Sequence, residues 1–119
     1  MTSVQIAREA ILALDSKRGE EIKLLKVGDL TVITDYFVIC TGTSTTQVRA
    51  LADEVEYKLG LAGVKPERVQ GSETASWIVL DYNTVIVHVF HPDARSFYSL
   101  DKLWADAKSV DISDIVTEG

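Results

Sequence analysis

The stretch Tyr36-Phe37-Val38-Ile39-Cys40-Thr41-Gly42-Thr43-Ser44 decides the fold class of this chain. Its first six residues are a short, nearly continuous β-branched and aromatic run, the pattern of a strand buried on both faces, and predict a central strand of a sheet. Gly42-Thr43-Ser44 breaks that strand, and Ser44 with Gln47 three residues on has capping-box spacing, so a helix is expected from Ser44 to Leu59. Within it Val48, Leu51, Ala52, Val55 and Leu59 form one apolar stripe, while Arg49/Asp53 and Glu54/Lys58 are opposite charges four residues apart on the wet side. A buried strand followed by a turn and an amphipathic helix is the start of an α/β domain.

Upstream, Val4, Ala7, Ile11 and Leu14 recur at spacings of three and four between Thr2 and Lys17, which predicts a helix stopped at Gly19. Ile22 to Val27 reads as a strand, with a turn at Gly28-Asp29-Leu30. Downstream, Val69 to Gly71 is a short strand and Ser76 to Tyr82 a longer one. Asn83-Thr84 turns the chain into Val85-Ile86-Val87-His88-Val89-Phe90, a hairpin signal because Asn tolerates positive φ. Phe97, Leu100, Leu103, Trp104 and Ala107 then stand at helical spacing between Ala94 and Ala107, and the last dozen residues are acidic and weakly patterned. The order describes one small domain over 1–119, a mixed sheet with flanking helices.

Length and composition narrow the function. At 119 residues, 46% hydrophobic and 25% charged, the chain has the make-up of one ordinary globular domain rather than a disordered or disulfide-stapled one. Twelve Lys and Arg against eighteen Asp and Glu leave a net charge of −6, without a basic cluster beyond Lys17-Arg18, which argues against nucleic acid as the main partner. No apolar run approaches the ~20 residues of a bilayer span, and the first residues resemble neither a signal nor a transit peptide, so a cytosolic location and no membrane partner are expected. The single Cys40 agrees with a reducing compartment.

Chemistry-bearing groups are few. The Gly42 to Thr46 turn at a helix start has the dipole to hold an anion, but it lacks a Walker lysine, and Thr46 stands where a nucleophile elbow needs glycine. No strand carries the paired carboxylates that a nucleotidyl transferase uses for Mg²⁺, since Glu54 and Glu56 lie in a helix and diverge. His88, His91 and Asp93 are a poor metal set, and Cys40 inside an apolar strand reads as a small buried hydrophobe. No catalytic, metal or cofactor site is therefore expected. The distinctive segment is Trp77 to Tyr82, where alternation sends Trp77, Val79 and Asp81 to one face and Ile78, Leu80 and Tyr82 to the other. One face covers the core, and the other has the composition of a protein-binding hot spot unless helices cover both.

These blocks together, Asp35 to Ser44, Gln47 to Ala52, Trp77 to Tyr82, Val85 to Phe90, and Arg95-Phe97-Tyr98-Leu100-Leu103-Trp104, resemble the ribosomal silencing factor family, also called Iojap-like proteins. The resemblance spans nearly the whole chain and departs at Gln70-Gly71, where the family usually has Glu-Gly, and at Asn83-Thr84, where it has Gly-Asp. It implies a nucleotidyltransferase-like fold without the catalytic carboxylates, and a translational repressor. Such a factor binds ribosomal protein L-fourteen on the intersubunit face of the large ribosomal subunit and sterically blocks joining of the small subunit. A homodimer is also implied. Combined with the strand reasoning, it nominates Trp77, Leu80, Asp81 and Tyr82 as the core of the contact and Glu73 and Arg95 as its rim. A large-subunit assembly factor and a divergent nucleotidyltransferase are the alternatives.

Overall fold

The computed structural model describes residues 1–116. The Tyr36–Thr41 run is strand β2, lying between antiparallel β1 (Glu20–Lys26) and parallel β5 (Val85–Phe90). The expected central position is observed, because a strand whose last five residues are all buried needs cover on both faces. With β3 (Arg68–Gln70), β4 (Trp77–Asp81) and β6 (Lys108–Val110) the mixed sheet runs β3-β4-β5-β2-β1-β6.

Helices α1 (Ser3–Ser16) and α2 (Thr45–Leu61) cover one face. Thr2 caps α1 through a full capping box with Gln5, whereas α2 uses half of one. Ser44 Oγ accepts from Gln47 N at 3.1 Å, but the Gln47 side chain reaches the Thr43 N–H and hydroxyl instead of the cap's own N–H. Gly19 does not stop α1 by adopting the left-handed conformation, since Arg18 takes that role at φ 61°. Gly19 is needed because any Cβ there would collide with Cys40 Sγ, so the α1–β1 connection presses directly on β2.

The second face carries Leu25, Val27, Phe37, Ile39 and Phe90, and is partly covered by two short helices, α3 (Pro92–Tyr98) and α4 (Leu100–Leu103). A single helix over 94–107 was the sequence expectation. The chain instead breaks at Ser99, which is left-handed at φ 50°. Residues six apart on one α-helix stand about 120° apart round the axis and ~9 Å apart along it, on different sides of the helix. The break swings α4 back, so that Asp101 meets Arg95 and Leu100 enters the core. The weakly patterned C-terminal region contributes the edge strand β6, paired to β1 through Leu24↔Val110, and its residues 117–119 lie outside the described residues.

Candidate protein-docking face

Strand β4 divides the nominated residues by alternation. Leu80 and Tyr82 point to the α1–α2 face, are 0% and 5% exposed, and belong to the main core. The expectation that they form a contact core is corrected: α2 already covers that side. Arg95, expected at a rim, is also inside, at 8% exposure. Its guanidinium donates to both Asp101 carboxylate oxygens at 3.3 and 3.1 Å, and to the Glu21 carbonyl and Thr41 Oγ1 at 2.8 Å each, tying α3 and α4 to β1 and β2. Burial raises the Asp101 carboxyl, but the hydrogen bonds and charges of Arg95 and Lys23 outweigh it and bring the pKa down to about 2.

Trp77 and Asp81 remain at the surface of the second face, half-buried, with Val79 between them and Ile86 across the ladder from Asp81. Trp77 is set by the loop that precedes it. Gly71 takes φ 87° and lies so close to the Trp77 carbonyl that a Cβ would collide with it, and Ala75, left-handed at φ 55°, is buried under the loop. Arg49 of α2 grips the loop through the Ser72 carbonyl at 3.2 Å and the Glu73 carbonyl at 2.8 Å. Glu73 itself is exposed in this loop.

Around Trp77 the rings form a continuous strip. Its indole stacks on Phe90 at 5.0 Å between centroids and meets Tyr98 at 4.7 Å, and Tyr98 in turn contacts Phe97 edge-on at 5.1 Å. On the other side His88 meets Phe37 edge-on at 4.8 Å, and Phe37 meets Trp104 edge-on at 5.0 Å. The outer members are open to solvent: Phe97 is 81% and Leu103 73% exposed, with Tyr98 at 50%. Periodicity alone placed Phe97 and Leu103 on the inner stripe of one long helix. The break at Ser99 turns them outward, and no residue-level pattern announces a left-handed serine.

The remaining candidates separate. Trp77 Nε1 donates to His88 Nδ1 at 3.1 Å, while His91 Nδ1 accepts from the Asp93 N–H at the start of α3, so the two histidines serve different elements. Among the described residues, no group of three or more His, Cys, Asp or Glu side chains is arranged to hold a metal ion. Burial pushes the Cys40 thiol up to about 12, with Arg95 only partly opposing it, so the thiol stays protonated and behaves as a packed apolar group. At the Gly42 turn the Gln47 amide also donates to the Lys17 and Arg18 carbonyls at 3.3 Å, so the chain's own side chain binds the turn to the end of α1. No helix among the described residues is long and apolar enough to cross a membrane.

What the second face presents is the half-buried Trp77 with the exposed Phe97, Tyr98 and Leu103, bordered by Asp81, a composition suited to protein contact. Comparison with known proteins identifies the family. The family model described as ribosomal silencing factor during starvation matches residues 1–119. A ribosomal silencing factor of Bacillus subtilis is 39% identical over 94% of this chain and 95% of its own length. One from Halalkalibacterium halodurans is 36% identical over 98% of this chain and 100% of its own. A crystal structure of a Chromobacterium violaceum protein superposes with a TM-score of 0.86 at 36% identity, covering 88% of each chain. With the family model matching residues 1–119 and relatives of this identity covered almost end to end, the chain belongs to the ribosomal silencing factor family.

Proposed function

We propose that the chain is a translational repressor that docks on ribosomal protein L-fourteen, on the intersubunit face of the large ribosomal subunit, and stops the small subunit from joining. Membership of the family supports a role as a ribosome-associated regulator. The observation that carries the finer reading is the aromatic strip around Trp77, whose half-buried indole and exposed Phe97 and Tyr98 of α3 stay open where α3 and α4 cover the face only in part. Rings of this kind supply most of the affinity at the centre of an interface. Trp77 and Asp81, with Phe97 and Tyr98 of α3, form the contact in this reading, and Glu73 stands at its edge. Leu80, Tyr82 and Arg95 hold the sheet and lid that present it.

Charge supports the same partner. A chain of net −6 is steered toward a basic protein surface, with Asp81 beside the apolar centre. Bulk supports the mode of action, because a body 33 × 33 × 30 Å across excludes a second large particle from the surface it covers. The test is sedimentation of the purified protein with ribosomal particles. It is expected on free large subunits and absent from joined ribosomes, and equal occupancy of both would refute the blockade.

A further inference from the structure

His88 is the one imidazole on β5, and it stands where an apolar side chain would pack without cost. It is 6% exposed, its strand neighbours on the same face are Ile86 and Phe90, and its Nε2 has no hydrogen-bond partner among the described residues. An isolated buried polar atom destabilises a fold. Nδ1 is different: it accepts the Trp77 indole N–H at 3.1 Å. Accepting there places the ring's proton on Nε2 and keeps the imidazole neutral.

The hydrogen bond does something that the rings around Trp77 do not. Stacking on Phe90 and contact with Tyr98 fix the plane of the indole, yet both tolerate the ring turned over or slid within that plane. Only a directional acceptor selects one edge. We propose that His88 is the positioning residue of the docking face: its Nδ1 fixes which edge of the Trp77 indole is presented, so the partner meets an anchor already ordered. The proposal rests on the docking reading of that face, and adds to it a residue that the partner need not touch. An anchor ordered beforehand loses less side-chain freedom on binding.

Two variants of opposite character test it. In His88→Leu the volume is nearly kept and the acceptor lost, whereas in His88→Asn the amide oxygen can stand near the Nδ1 position. The indole N–H resonance of Trp77 in ¹⁵N-labelled protein, assigned by its loss in Trp77→Phe, reports the hydrogen bond without any partner. Binding to purified large ribosomal subunits reports its consequence. His88→Leu is expected to be at least as stable as the parent, to lose the hydrogen-bonded indole shift and to bind about fivefold more weakly. His88→Asn is expected to be less stable, yet to recover the indole shift and most of the affinity. Stability and affinity thus rank in opposite orders, which a purely structural role would not produce. An unchanged indole signal in His88→Leu overturns the proposal, as does parental affinity of that variant when Trp77→Ala binds poorly. If Trp77→Ala binds as well as the parent, the docking reading fails, and the indole signal alone judges whether His88 orders the ring.

Discussion

Arg95 and Asp101, six residues apart, meet side-on through two hydrogen bonds of 3.3 and 3.1 Å because the left-handed Ser99 folds α4 back toward α3. The pair joins the lid of the second face to the sheet, since the same guanidinium reaches the Glu21 carbonyl and Thr41 Oγ1. Charge-assisted, two-pronged pairing of this kind is strong and directional. Lys23 adds a third arm at 2.8 Å from the Asp101 carboxylate.

Removing the buried cation should therefore loosen the lid. Arg95→Leu leaves the Thr41 hydroxyl and the Glu21 carbonyl without their donor, and a loss of about 2 to 4 kcal/mol is expected. Asp101→Asn keeps an acceptor and should cost about 1 kcal/mol. Urea denaturation of the two variants measures the contrast. Equal effects would mean that the guanidinium's bonds to β1 and β2 contribute little.

Gly71→Ala should be among the most damaging single-atom changes in the chain. The added Cβ collides with the Trp77 carbonyl, and φ 87° strains any side chain. A loss above ~2 kcal/mol is expected, read as a drop in Tm, with the Trp77 loop displaced. Gly63→Ala, also at positive φ but with no atom within 4 Å of its Cβ, is the control for strain alone.

Acid should weaken the fold in two stages. Burial lowers the His88 pKa from 6.5 to about 4. Below pH 6.5 the unfolded chain takes up a proton that the folded one refuses, so stability is whole above pH 6.5 and falls as the pH drops toward 4. The loss from this group is about 3 kcal/mol at full development. Asp101, depressed from 3.8 to about 2, contributes above pH 3.8 and loses that contribution as the pH falls toward 2. Chemical denaturation at pH 7, 5 and 4 should show the first slope in the parent, and His88→Leu should flatten it.

How much of this was legible in the chain depended on where the signal is local. The Tyr36–Thr41 strand, its helix and the Asn83 hairpin were readable, because continuous apolar runs, caps and a residue tolerant of positive φ act within a few positions. The divided fates of Trp77 and Leu80 were half readable. Alternation assigns them to opposite faces, but which face stays open depends on where α3 and α4 stop, and that is set by Ser99 and the Arg95–Asp101 pair. The edge strand β6 had no local signal, since three exposed or half-buried residues become a strand only by pairing with β1.

Side chains on the two faces of β4 should behave oppositely when truncated. Leu80→Ala opens a cavity in the main core and should cost about 2 to 5 kcal/mol in stability. Trp77→Ala should leave a folded protein that binds large subunits roughly thirtyfold more weakly, in keeping with ~2 kcal/mol for a central aromatic anchor. Circular dichroism with sedimentation separates the two. A Trp77→Ala protein that fails to fold would place the indole among the core residues, and Phe97→Ala, on an 81% exposed side chain, then carries the binding test.

Blockade by bulk makes the order of mixing matter. Protein added to large subunits before small ones arrive should reduce joining in proportion to the occupied fraction, without consuming nucleotide. Added to ribosomes already joined, it should act only as fast as they dissociate, because the docking surface is covered. Charge gives an independent handle. Steering of a −6 chain toward a basic surface weakens as salt shortens the screening length from ~10 Å at 0.1 M toward ~3 Å at 1 M, so the on-rate should fall before the off-rate changes. Asp81→Lys reverses one charge beside the apolar centre and should slow association further, and it also removes the carboxylate that accepts the Asn83 N–H at 2.8 Å. Its thermal stability therefore has to be measured alongside. Light scattering during subunit mixing reads all of these arms. Normal joining with the large subunits saturated would refute blockade while leaving docking intact, and immediate splitting of preformed ribosomes would replace passive exclusion with active dissociation.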